Sequence, residues 1–155
     1  MSLIKHFKIL ITTPSFPPYN SGLGNAVYQQ VKMLTSTGNE VVVATAGNKR
    51  NIRFDSSLNV RIEEFNVMGA DSLINPLKGD IDSYKKFLLE SNFDLILINA
   101  WQTWSTDICL KYLNEISGKK VLYSHCISTN LFFIERLLKS LLRYLLWRPY
   151  FFKIK

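Results

Sequence analysis

The sequence predicts an α/β protein with a Rossmann-like parallel sheet, strand order 3-2-1-4-5, and helices on both faces. Three observations lead there. Lys8-Ile-Leu-Ile-Thr-Thr13 and Asp94-Leu-Ile-Leu-Ile98 are continuous apolar runs of the kind that form strands buried on both faces. Segments with helical spacing alternate with such runs along the chain. A glycine-containing turn, Gly22-Leu-Gly24, stands between the first run and the first helical segment.

The first strand, residues 8–13, must end at the proline-rich stretch that follows it. Asn25 is a candidate cap for a helix whose inner face carries Val27, Val31 and Leu34, and Gly38 supplies its stop. Glu40-Val-Val-Val-Ala-Thr45 reads as the second strand, a polar connection runs from Gly47 to Asn59, and Val60-Arg-Ile-Glu-Glu-Phe65 alternates as a third strand near the sheet edge. Residues 66–80 read as a loop. A helix over Ile81–Ser91 leads into the fourth strand, Asp94–Ile98. The next helix, Thr103–Ile116, stops at Gly118, and Lys120–Ser124 forms the fifth strand. A long final helix follows over Leu131–Trp147. Right-handed crossovers then place the first strand beside the fourth, where the strand order reverses.

Composition sets limits on function. A 155-residue chain suits one domain that buries roughly 68–70% of its unfolded surface, and 47% apolar with 20% charged residues excludes a disordered chain. The opening Met1–Lys8 lacks the apolar core and cleavage site of a secretory signal, so a cytoplasmic location is expected. Cys109 and Cys126 have neither metal-ligand spacing nor scaffold density and read as free thiols. Arg136, Lys139, Arg143 and Arg148 interrupt the most apolar segment, which leaves no run long enough to span a bilayer. Residues 131–155 hold six Lys/Arg against one Glu, so five of the seven net positive charges lie in the tail.

Ligands of open α/β sheets bind beyond the carboxyl ends of the strands, at the reversal. Residues Pro14–Gly24, Asn99–Trp104 and His125–Asn130 should meet there. Gly22, Gly24 and Asn25 precede a helix, where free amides and the helix dipole favour a phosphate; glycines in that place also serve simply as tight-turn residues. Trp101, Gln102 and Trp104 bring the rings and amide that sugar-binding surfaces use, although at least one tryptophan can be core. Cys126, beside His125 on an extended segment, points to the opposite face, which argues against a thiol nucleophile paired with it.

The stretch KILITTPSFPPYNSGLGNAVYQQVKMLTSTGNEVVVAT is similar to the opening of the family 4 glycosyltransferases of the GT-B class, with strand, proline-rich loop, glycine turn, amphipathic helix and second strand in the family's order. FDLILINAWQTW resembles the family's later Asp-containing strand and its loop, and VLYSHCISTN resembles the strand ending in His. The resemblance covers residues 7–130 well and the final helix loosely. It implies retaining transfer of a sugar from a nucleotide donor to a glycan or lipid-linked acceptor held mainly by this half of a two-domain cleft. Gly22 and Gly24 would approach donor phosphates or the transferred sugar. Read from its own surroundings, His125 is a strand-end histidine hydrogen-bonded to backbone; by the resemblance it matches the histidine near the reacting sugar and would position the acceptor or hydrogen-bond a hydroxyl rather than act as a nucleophile. Ser128 and Thr129 would donate hydrogen bonds in the same loop, with Asn130 capping the next helix. A nucleotide sugar is then a co-substrate, with no tightly bound cofactor and no metal requirement.

The chain departs from the family pattern at Ser21, where a glycine usually precedes Gly22, and at its end. It stops before a sixth strand and before the C-terminal domain that carries the family's spaced glutamate pair, so it reads as a fragment that is inactive alone. The tail helix has a leucine face and a basic face bearing Arg136, Lys139 and Arg143. It can pack on the sheet, lie peripherally on an anionic membrane, or do both. Two other readings stand beside sugar transfer. A dinucleotide oxidoreductase also opens strand, glycine turn, helix, strand, but the gap from Thr13 to Gly22 is too long and proline-rich, and the second strand lacks an acid for the ribose. A non-catalytic module binding a membrane or partner through the tail is the other; the chain carries no nucleic-acid motif.

Overall fold

The computed structural model describes residues 6–70 and 75–125. Chain order is β1 Lys8–Thr12, α1 Gly22–Ser36, β2 Glu40–Ala46, β3 Asn51–Asp55, β4 Val60–Phe65, β5 Val67–Met68, β6 Lys78–Gly79, α2 Ile81–Glu90, β7 Leu95–Asn99, α3 Trp104–Lys111 and β8 Lys119–Tyr123. The main sheet has six strands in the order β3-β4-β2-β1-β7-β8. All its pairs are parallel except β3 with β4.

This sheet corrects the expected five-strand order 3-2-1-4-5. It is mixed, because the segment read as a polar connection folds back as an antiparallel edge strand, β3. Its Ile52 and Phe54 are 59% and 63% exposed. A strand that buries so little carries no apolar run, and backbone pairing to β4 is what defines it. The stretch 66–80, expected as loop, contributes the small pair β5–β6. The helix expected to reach Ile116 ends at Lys111, followed by turns.

Strand period 2 divides the core cleanly. Ile9, Ile11, Val41, Val43, Val60 and Ile62 point to one face and pack with Val27 and Val31 of α1. Leu10, Val42, Ala44, Phe65, Ile96 and Ile98 point to the other, against Tyr84 and Leu88 of α2 and Ile108 and Leu110 of α3. Both faces of the central strands are therefore covered, which is why their sequences show no alternation. Each of the Val, Leu, Ile and Phe side chains among them contributes roughly 1.5–3 kcal/mol by leaving water.

Turn chemistry sets the connections. Gly38 ends the α1 region at φ 83°, and a Cβ there would meet the His6 ring at 2.6 Å, so both conformation and space require glycine. The Asp94 carboxylate accepts from the Lys8 amide at 2.8 Å and the Asp94 amide donates to the Lys8 carbonyl at 2.9 Å, which locks the start of β7 to β1. At the far edge the buried Glu63 lies between Arg50 and Arg61, with the Arg50 guanidinium 4.3 Å over the Phe65 ring. Among the described residues no helix is long and apolar enough to cross a membrane.

Candidate functional site at the carboxyl edge

Because β1 pairs with β7 and β7 with β8, their carboxyl ends are neighbours, and the loops after them leave the same edge of the sheet. The first loop is built from hydroxyls. Thr13 Oγ1 donates to the Ser15 carbonyl at 3.0 Å, and the Ser15 and Ser21 hydroxyls lie 2.7 Å apart. Ser21 Oγ accepts from the Gly24 amide at 2.8 Å and caps α1. Phe16, 1% exposed, anchors the loop in the core on the α1 side.

Three expectations change here. Ser21, not Asn25, is the cap; the helix begins at Gly22, and Asn25 lies exposed in its first turn. A serine where a glycine was expected thus supplies an N-cap acceptor. Gly22 and Gly24 are not tight-turn residues either, since both are already helical and neither has a positive φ. The expected phosphate cradle is also narrower. The Gly24 amide is taken by Ser21 Oγ, and the Asn25 amide donates to the Ser21 carbonyl at 2.9 Å.

The two glycines differ in what they make possible. A Cβ at Gly24 would meet Ser21 Oγ at 2.9 Å, so that glycine lets the helix close against its own cap. A Cβ at Gly22 would meet nothing within 4 Å. Gly22 is exposed and leaves its backbone open to approach.

At the end of β8, His125 Nε2 and Asn99 Oδ1 are 2.7 Å apart. Asn99 is fully buried at the end of β7, and its amide nitrogen faces the Leu97 carbonyl at 3.4 Å. That direction assigns the oxygen to His125, so Nε2–H donates and Nδ1 keeps a lone pair. Burial holds the His125 pKa below its ordinary value of 6.5, and the ring is neutral at pH 7. The Tyr123 ring lies 4.8 Å from it, centroid to centroid, and is 53% exposed.

These groups share a side. Ile96 and Ile98 belong to the α2–α3 face, so Asn99 alternates to the α1 face, and Tyr123 stands opposite Asn99 in the register. The bend between β7 and α3 carries two non-glycine residues at positive φ, Ala100 at 68° and Gln102 at 63°, with the Thr106 hydroxyl donating to the Ala100 carbonyl. Such conformations are rare outside glycine and cluster at functional loops.

Trp101 and Gln102 are half-buried in this bend. Trp104 corrects its expected place on an acceptor surface: it is 3% exposed, with its ring edge-on to Tyr84 at 4.9 Å, and it is core. Ser128 and Thr129 of the expected acceptor loop lie outside the described residues, as do Cys126, Asn130 and the basic-face residues Arg136, Lys139 and Arg143. Asn99 and Tyr123 were not singled out in the sequence. A polar residue closing the apolar run Leu95–Ile98 was the available signal for Asn99. The sequence matches no protein-family model and no curated protein.

Proposed function

We propose that this chain is the acceptor-side, Rossmann-like half of a retaining nucleotide-sugar glycosyltransferase, acting together with a donor-binding domain on a glycan or lipid-linked acceptor. The observation that carries the reading is the neutral His125, oriented by buried Asn99 at the carboxyl edge, on the side of the sheet that α1 covers. A neutral imidazole with its Nδ1 lone pair available accepts a hydrogen bond from a sugar hydroxyl and fixes its orientation without a charge to desolvate. Tyr123 would offer apolar ring surface to the same sugar, whereas Trp101 packs against the α2–α3 core on the other side of the sheet. Open Gly22 would let a donor phosphate or the transferred sugar come close to the backbone. Ser128 and Thr129 are assigned to acceptor hydroxyls, and Arg136, Lys139 and Arg143 to an anionic membrane that presents a lipid-linked acceptor.

The test uses the intact protein with a panel of nucleotide sugars, reading nucleotide release in the presence of acceptor lipid extracts. His125→Ala lowers kcat by about a hundredfold, the lower end of what a positioned acid–base group contributes, and keeps the fold with a thermal midpoint a few degrees lower, because the buried Asn99 oxygen loses its partner. A wild-type rate in that variant sinks the assignment. A dinucleotide reading has against it the long, proline-rich gap from Thr13 to Gly22 and the lack of an acid after the second strand.

A further inference from the structure

The loop between β1 and α1 contains Pro17-Pro18, two successive residues without an N–H, so it has fewer donors than carbonyls to satisfy. The missing donor comes from the opposite edge of the sheet. Arg53 of β3 stands opposite Ile62 in the register and so shares the α1-side face to which Ile62 belongs. Its Nη2 donates to the Pro17 carbonyl, while its Nε donates to Glu64 Oε1 at 2.7 Å. The other Glu64 oxygen accepts from Asn51 Nδ2 at 3.0 Å.

Glu64 is itself fixed. It lies opposite Thr45 of β2, and Gly47 packs so near that a Cβ there would come within 2.7 Å of Glu64 Cβ. Burial pushes the Glu64 carboxyl pKa up, but the hydrogen bonds from Arg53 and Asn51 outweigh it and hold the group below its ordinary value, so it is ionised at neutral pH. A guanidinium is suited to this place, since its planar fork presents two N–H groups to two acceptors at once.

We propose that Arg53 is the positioning residue of the first loop: held by Glu64, it gives the Pro17 carbonyl the donor that the prolines cannot supply, and so sets where Ser21 and Gly22 stand. The edge strand is then an outrigger for the loop. This inference is independent of the sugar-transfer reading, because its consequence is local order in the unliganded chain.

Hydrogen–deuterium exchange on the full chain tests it, read at the amides of residues 19–24 and, as a reference, at those of β1 and β7. Arg53→Ala speeds exchange at 19–24 by about tenfold, as expected for loss of a hydrogen bond from a charged donor, and leaves the reference strands at their wild-type rates. Arg53→Lys restores less than half of the protection, since one ammonium lacks the forked geometry. Glu64→Gln, which keeps the fold of β4 and one acceptor oxygen, speeds the same amides by a smaller factor. The proposal is overturned by wild-type exchange at 19–24 in Arg53→Ala or in Glu64→Gln. It is equally overturned if β1 and β7 accelerate by the same factor as the loop, which would make Arg53 a general stabiliser of the sheet.

Discussion

Two glycines two residues apart have opposite roles, and substitution separates them. Gly24→Ala gains about 1 kcal/mol of helix propensity but drives a Cβ against the cap oxygen, and overpacking of this kind costs about 1–3 kcal/mol. Chemical denaturation should therefore show a net loss near 1 kcal/mol. Gly22→Ala meets open space and should be neutral or slightly stabilising, yet it should weaken binding if a donor group closes on that backbone. Equal stabilities for the two variants would contradict the geometry. His125 offers a second check. Its folded pKa lies below the unfolded 6.5, so the unfolded chain binds the extra proton first, and stability falls as pH drops through the window between the two values. Ring resonances followed by NMR should titrate below 6.5, and Asn99→Asp should raise the midpoint by placing a carboxylate on Nε2.

At the scale of the element, the start of α1 shows how far local sequence reaches. Ser21 and Asn25 are both good caps by residue type, and only the path of the loop decides between them. Ser21→Ala should cost about 1 kcal/mol, seen as a fall of a few degrees in thermal midpoint, whereas Asn25→Ala should leave the midpoint unchanged. The reverse ranking would place the helix start where the sequence alone suggested. Strands β1, β2, β4 and β7 were legible because burial writes itself into composition as apolar runs or alternation. The edge strand β3 was not, since its Ile52 and Phe54 remain largely exposed and its pairing to β4 is a backbone event.

Over the whole molecule, the α/β class and the neighbouring carboxyl ends of β1, β7 and β8 follow from the order of apolar runs and the handedness of crossovers. The mixed six-strand order does not, because one antiparallel strand adds no helix and little core. The candidate site was legible in part. The place of His125 after the β8 run suits by itself a histidine hydrogen-bonded to backbone, and Asn99, its actual partner, is 26 residues away and becomes visible only once β7 and β8 are in register. The same applies to Trp104. Its residue type suits a sugar surface, and its depth against Tyr84 depends on how α2 and α3 pack, which spacing does not encode.

Cys109 sits between these two helices, fully buried, with its thiol 3.4 Å from the Tyr84 hydroxyl and burial pushing its pKa to about 11. The thiolate is the reactive form, so the folded protein should be silent to alkylating reagents at neutral pH. That silence makes Cys109 a built-in clock. With Cys126 replaced by serine, the rate of iodoacetamide labelling detected by mass spectrometry should report only those openings that part α2 from α3, and it should rise with denaturant in step with global unfolding. Labelling of Cys109 that is rapid and indifferent to denaturant would mean that this side of the core breathes on its own.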